Sequence, residues 1–319
     1  MPTEPLIVVV GADGFVGGGL ATALQAQRVV YGPIQNGETH IKQAEALLKR
    51  ADIIVNCGGF RVQMGYDYGD YRRSHEGATS AFVPWIRKGA VLLHISSASV
   101  LGKGYGLGNH SSPNPTTFPS AAYACAKFEE DCYLEKMSAQ CSFRVVFLRP
   151  AVLYSQEGSG MVDMLLKLAR RRITLCLYPR DARHHLAHMD LLTDVARRVI
   201  ERDGLPNLSR LVVADPYTVT NRDLDAMIRR ALGGAAMRIP APAHWVSTLL
   251  RHSLRSRNPR LDIRTLGEIF GVIAMDTVYD PSETFRLLDI DPSRYSLDKT
   301  LKPVIEQALQ PSIRRALRG

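Results

Sequence analysis

The chain lacks most features that would assign it to a class at once. None of its 319 residues lies in an apolar run approaching the ~18 residues of a membrane span. No charged signal-peptide head precedes the first apolar stretch at Leu6. Stable membrane insertion is therefore not expected, and a cytoplasmic location is. Cysteine is sparse: Cys57, Cys125, Cys132, Cys141 and Cys176 are odd in number and show no CxxC or Cys/His spacing. Neither a disulfide frame nor a metal site is expected, and the thiols read as free and mostly core. Internal repeats and low-complexity segments are missing as well. Lysine is scarce, 9 against 31 arginines, within a net charge of +9. Guanidinium suits bidentate phosphate or carboxylate contacts, so an anionic small molecule fits as partner. No recognised nucleic-acid motif accompanies the charge, and nucleic acid is not expected.

What is present is a composition 45% apolar, enough for one large domain or two closely fused ones. Over the first half, apolar runs alternate with helix-length amphipathic segments: Leu6–Val10, Arg28–Tyr31, Ile53–Asn56, Val91–Ile95 and Phe143–Leu148. Strands apolar on both faces and separated by helices predict an α/β fold, with a doubly wound parallel sheet over residues 1–152. A return strand is expected near 205–215, where Leu211–Val213 is apolar. The remainder, 153–319, reads as a smaller and mostly helical unit on the substrate side. It contains an amphipathic helix over Met161–Arg172, a run Ile173–Tyr178 and proline breaks at Pro240 and Pro242.

The first chemical signal is Gly11-Ala-Asp-Gly14-Phe-Val-Gly17, directly after one expected strand and directly before a helical pattern. A pyrophosphate needs backbone N–H donors at a helix N-terminus with no Cβ in its way. Gly11 supplies the tight turn, Gly14 the close approach and Gly17 the packing of helix on strand. An acidic residue that would hold the adenosine ribose is not found after the second run, where Tyr31, Gly32 and Pro33 stand. No arginine follows closely either, so NAD and NADP both remain open.

The second signal is Tyr123-Ala-Cys-Ala-Lys127, whose ends share one helix face. The spacing alone is weak, since Tyr295-Ser-Leu-Asp-Lys299 repeats it near the C-terminus. Tyr123 differs because the strand Val91–Ile95 ends in Ser96-Ser97-Ala98-Ser99, at the edge where open α/β sheets place their ligands. Carbonyl reduction needs a proton donor at oxygen as hydride reaches carbon. Tyr123 fits that task, Lys127 is expected to lower its pKa and reach a ribose, and Ser97 to hold the substrate oxygen.

These segments resemble the extended class of the short-chain dehydrogenase/reductase superfamily, the NAD-dependent epimerase/dehydratase family, over nearly the whole chain. Gly11 to Gly17 looks like its phosphate loop, Ile95 to Gly102 its serine loop, and Tyr123 to Glu130 its YxxxK helix with a trailing acid. Leu148 to Tyr154 resembles the segment beside the nicotinamide, and Arg183 to Leu191 the stretch closing the substrate domain. Phe285 to Pro292 with Tyr295-Ser-Leu resembles the C-terminal ending, which explains the second YxxxK. The resemblance implies a Rossmann domain with a small substrate domain, often in a homodimer. It implies Ser97, Tyr123 and Lys127 as catalytic residues. It further implies Gly11, Asp13, Gly14, Phe15, Val16, Gly17, Cys57, Gly58, Ser96, Tyr123, Lys127, Pro150 and Val152 around NAD or NADP, and Ser97, Ser99 and Arg183 toward substrate.

Departures from the family pattern narrow the reaction. Ala98 and Ser99 stand where dehydrating relatives carry Asp-Glu, and Ser99 where decarboxylating ones carry Glu. No Asn lies within Arg149–Tyr154, where UDP-galactose epimerases place a sugar contact, and Ser74 replaces a common Asn. The expectation is plain dehydrogenation or reduction of a nucleotide-linked keto-sugar. The alternatives are a lipid, steroid-like or polyketide alcohol, a nucleotide-sugar epimerase, and a non-catalytic cofactor sensor. Arg183 and the basic set Arg238, Arg251, Arg255, Arg257, Arg260 and Arg264 would suit a phosphate-bearing substrate. Residues 103–120 read as a substrate-side loop that orders on binding.

Overall fold

The computed structural model describes residues 4–30, 41–60, 67–117, 121–157, 160–202, 204–242 and 271–316. Tyr31 to Pro33, residues 118–120 and Arg251, Arg255, Arg257, Arg260 and Arg264 lie outside the described residues. The strands are β1 (Ile7–Val10), β2 (Gln27–Val29), β3 (Ile53–Asn56), β4 (Val91–Ile95), β5 (Gly104–Leu107), β6 (Arg144–Pro150) and β7 (Val152–Tyr154). They continue as β8 (Ile173–Tyr178), β9 (Arg183–His188), β10 (Leu208–Val213), β11 (Thr218–Thr220), β12 (Met237–Pro242) and β13 (Thr277–Tyr279). The principal helices are α1 (Phe15–Ala23), α2 (Tyr68–Arg72), α3 (Ala121–Cys141), α4 (Gly160–Ala169), α5 (Met189–Glu201), α6 (Asn221–Leu232), α7 (Ser282–Leu288) and α8 (Leu301–Ala316).

Six strands form the main sheet in the order β10-β6-β4-β3-β1-β2, every pair parallel. Alternate residues of each strand serve opposite faces. Val9, Val55, Leu93 and Val146 pack with α1 and α5, while Val8, Val10, Ile54, Leu92 and Val145 pack with Leu134 of α3 and Phe82. That double burial is why these strands read as continuous apolar runs. Chain order reverses across β1 and β3, which opens the crevice at their carboxyl ends.

The second half mixes helices with two smaller sheets, β11-β9-β13-β5 with β7 beside β9 and β12-β8, around a second core of Leu165, Leu177, Leu186, Val219, Leu224, Ile228, Leu301 and Val304. Small residues meet where it joins the main sheet: Ala98, Ala151, Ala187 and Ala214 pack with Val100 and Val212. The segment from α7 to Tyr295 leaves the second core, to which α8 returns. Phe285, Leu288, Ile290 and Tyr295 pack back into the first, beside α5 and β10.

Two expectations are corrected. Residues 103–117 are not a free loop: β5 pairs with β13, and Asn109 Oδ1 accepts the Val212 N–H at 2.7 Å and the Thr284 hydroxyl at 3.1 Å. The buried amide ties the segment down by satisfying groups on two other elements. Nor are the cysteines mostly core, since only Cys176 is buried and Cys132 is exposed. No helix among the described residues is long and apolar enough to cross a membrane, and no metal-binding cluster occurs among them.

Candidate active site

The glycine turn is set by close approach. A Cβ on Gly11 would sit 2.9 Å from the Cys57 carbonyl and the Gly58 nitrogen, and its φ of +79° suits glycine alone. A Cβ on Gly17 would lie 2.1 Å from the Gly11 oxygen. Gly14 differs: its nearest neighbour is 3.4 Å away and it is exposed. It caps α1 without a side-chain hydrogen bond, and no acidic residue occupies the first turn. The N–H groups and positive end of α1 therefore face an open, Cβ-free surface, the fit that a pyrophosphate requires. Asp13 is exposed, and Phe15 and Val16 are half-buried at the start of the helix. Across the crevice Cys57 and Gly58 follow β3. Burial pushes the Cys57 thiol up to about 12, and the Gly58 N–H is taken by Asn56 Oδ1 at 3.0 Å.

Ser97 ends β4 and caps the following 3-10 turn Ala98–Leu101: its Oγ accepts the Ser99 N–H at 3.2 Å and the Ser99 hydroxyl at 2.8 Å. It also acts on the phenol of Tyr123 on α3, whose pKa it pulls down. Burial raises the Tyr123 pKa above its ordinary value, and the opposing pulls of Lys127 and Ser97 do not overcome it. The expected lowering by Lys127 is thus present as a component and outweighed in the net. A phenol of raised pKa holds its proton at neutral pH and gives it up only where the phenolate left behind is stabilised.

One turn on, Lys127 is buried and donates to the Ile95 carbonyl at 3.1 Å and to Glu130 Oε2 at 2.9 Å. Burial lowers its pKa, but Glu130, Tyr123 and Asp131 more than offset this and hold the ammonium above its usual range. Glu130 is fully buried and accepts from Thr79 and, at 3.5 Å, from the Asn56 amide.

Behind this pair lies a polar network that the motif search did not contain. Asp131 Oδ2 accepts from Arg149 at 3.1 Å and from Ser96 at 3.0 Å, and burial raises its carboxyl to about 6 against those contacts. The Asn56 amide donates to His94 Nδ1 at 3.1 Å, which leaves Nε2–H facing Glu130 and Asp131 at 3.5 and 3.6 Å. The end of β3, the serine loop, α3 and the residue before Pro150 are thereby tied to one another. Signals existed in the sequence: a histidine inside the apolar run Val91–Ile95, an arginine at the end of Phe147-Leu148, and acids at three and four residues after Lys127.

The structure does not gather every predicted residue at one point. Pro150 is buried at the end of β6, and Val152 opens β7, which pairs parallel with β9 at Val152↔Leu186. Arg183 begins β9, three residues earlier and so roughly 10 Å along the strand. It is exposed near Tyr105, and its N–H donates to Asp276 Oδ1 at 2.7 Å. Arg238, from the basic set, is bound to Asp225 at 2.7 Å on β12. The second YxxxK serves packing: Tyr295 is buried and bonds Asp194, while Lys299 donates to the Ser293 carbonyl at 2.9 Å.

The family model of the NAD dependent epimerase/dehydratase family matches residues 7–190, which span the glycine turn, the serine loop and the Tyr123 helix. The chain belongs to that family. No curated protein sequence matches this family member. By fold, it is similar to UDP-glucuronic acid 4-epimerase from Bacillus cereus in complex with NAD, with a TM-score of 0.72, 16% identity and 94% and 96% of the two chains covered. UDP-N-acetylglucosamine 4-epimerase from the same organism gives 0.68 at 14% identity, over 97% and 99%. UDP-glucose 4-epimerase from Thermotoga maritima gives 0.67 at 14%, over 98% and 99%. The family is NAD-dependent, and the open end of α1 fits a dinucleotide's pyrophosphate.

Proposed function

We propose that this family member exchanges hydride and proton at one secondary alcohol or ketone carbon of a nucleotide-linked sugar. The observation that carries the reading is the Tyr123 phenol, which holds its proton, within the influence of Ser97 and one helical turn from the buried ammonium of Lys127. Gly11, Gly14, Gly17 and the first N–H groups of α1 hold the pyrophosphate, with Cys57, Gly58, Ser96, Pro150 and Val152 lining the remainder. When bound, the dinucleotide accepts or donates the hydride. Ser97 donates to the substrate oxygen or accepts from it, and Ser99, bonded to Ser97, orients that hydroxyl. Tyr123 gives its proton to the oxygen in reduction and takes it back in oxidation. Lys127 stabilises the phenolate left behind and reaches the ribose hydroxyls. Arg183, exposed at the start of β9, binds phosphate.

A second reading, 4-epimerisation with a retained cofactor, draws support from the likeness in fold to three nucleotide-sugar 4-epimerases. The same three side chains serve it, because oxidation and re-reduction require the same proton transfers. The test is Tyr123→Phe, assayed with UDP-hexoses and their keto forms. NAD binding is expected to persist while turnover falls by about 10²–10⁴, and unchanged turnover defeats the mechanism. Sugar interconversion without net change in nicotinamide absorbance selects the epimerase reading.

A further inference from the structure

The family resemblance places an Asn where Ser74 stands, and the structure shows why Ser74 cannot take over its side-chain role. Residues Arg73–Gly77 form a wider, π-type turn. Within it the Ser74 hydroxyl donates to the Tyr71 carbonyl at 3.0 Å and accepts the Phe60 N–H at 3.3 Å. A π-type turn rotates the residues after it relative to an α-helix. The side chain turned toward the Tyr123–Lys127 pair is the next one, His75.

His75 is 1% exposed. Its ring stands edge-on to Tyr123 at 5.6 Å between centroids and is stacked on Tyr71 at 6.3 Å, and Tyr71 meets Tyr123 at 5.6 Å. Its Nδ1 lies 3.5 Å from Glu130 Oε2, the same oxygen that accepts from Lys127 at 2.9 Å. Room for that nitrogen exists because residue 59 is glycine: a Cβ there would sit 2.0 Å from Nδ1. Neither ring nitrogen completes a hydrogen bond among the described residues, so Nδ1 meets the carboxylate as a close polar contact.

We propose that His75 is a positioning residue of this site: its neutral imidazole lies 3.5 Å from the Glu130 oxygen that Lys127 bonds and flanks the Tyr123 ring, setting how much of the lysine's charge reaches the phenol. The proposal rests on Tyr123 and Lys127 acting as the acid–base pair. The groups facing the imidazole are Tyr71 on its own helical segment, Tyr123, Lys127 and Glu130 of α3, His94 of β4 and the Phe60 backbone. Burial, reinforced by Lys127, pushes His75 down to about 3, so it stays neutral at working pH. Glu130 raises the Tyr123 pKa and Lys127 lowers it. A polar imidazole edge held against Glu130 therefore favours the lysine's side of that balance.

The experiment titrates Tyr123 directly, by carbon NMR of protein labelled at the tyrosine ring carbon bearing oxygen, in the NAD-loaded protein. The signal is assigned by its loss in Tyr123→Phe. His75→Phe keeps the ring and removes its polar edge, and is expected to raise the Tyr123 pKa by about half a unit to one unit. His75→Asn, which restores a polar edge, brings it back toward the parent value. Gly59→Ala, which displaces the imidazole, shifts it as His75→Phe does, and circular dichroism with NAD titration verifies that each variant is folded. An unchanged Tyr123 pKa in folded His75→Phe overturns the proposal. If Tyr123→Phe retains turnover, the acid–base reading fails, and with it the functional role given to His75, whatever the titration shows.

Discussion

Lys127 Nζ and Glu130 Oε2 form a 2.9 Å ion pair in which both side chains are withdrawn from water, one turn beyond Tyr123. Two charges in such a place are tolerated only because each completes the other. Glu130→Gln leaves the ammonium without its counter-charge and is expected to destabilise the protein by about 3–5 kcal/mol, measured by urea unfolding. A variant as stable as the parent would show that the lysine finds another partner.

The glycines of the phosphate turn are predicted to separate by role. Gly17→Ala places a methyl group 2.1 Å from a backbone oxygen and is expected to lower both the melting temperature and NAD affinity. Gly14→Ala has 3.4 Å of clearance and is expected to fold normally, while its methyl group occupies the surface at the end of α1. A loss of NAD affinity of about tenfold with an unchanged melting temperature, about 1.4 kcal/mol, is the outcome to look for by calorimetric titration.

Buried imidazoles set the acid limit of stability. Burial lowers His184 and His185 to about 4 and His75 to about 3, from an ordinary value of 6.5. A group with a depressed folded pKa contributes stability that is complete above its unfolded value and lost as pH falls through the folded one. The window is therefore pH 6.5 down to about 4. Asp131 and Asp215, raised to about 6 from 3.8, work the other way, since their contribution is complete at low pH and lost as pH rises through 6. With three histidines shifted further than two carboxyls, the net expectation is falling stability between pH 6.5 and 4. His185→Gln, whose amide oxygen can still accept the Tyr279 N–H that Nδ1 accepts at 2.9 Å, should flatten that fall by up to about 3 kcal/mol. Urea unfolding at several pH values measures it.

Arg183 is exposed, so Arg183→Ala is expected to change unfolding free energy by less than about 0.5 kcal/mol. Under the proposed function it raises KM for a nucleotide-linked sugar roughly tenfold, about 1.4 kcal/mol of lost charge-assisted contact, and leaves NAD affinity alone. Equal KM values in parent and variant would remove the phosphate role of Arg183.

The sequence alone determined what local chemistry dictates. Strands buried on both faces read as near-continuous apolar runs, so β3 and β4 were readable to the residue despite Asn56 and His94. A turn that admits no Cβ must be glycine, which exposed the phosphate loop. Two side chains four apart on a helix share a face whatever surrounds them, which marked Tyr123 with Lys127 but also the packing pair Tyr295 with Lys299. The polar β9 and the three-residue β11 and β13 were not legible, because their partners are distant in sequence and only pairing makes them strands. Tertiary structure alone decided that Glu130 faces Lys127, that Asp131 and Arg149 meet behind Ser96, and that His75 rather than Ser74 turns toward Tyr123. It also decided the protonation of the phenol, because desolvation depends on everything packed around a group and not on its neighbours along the chain.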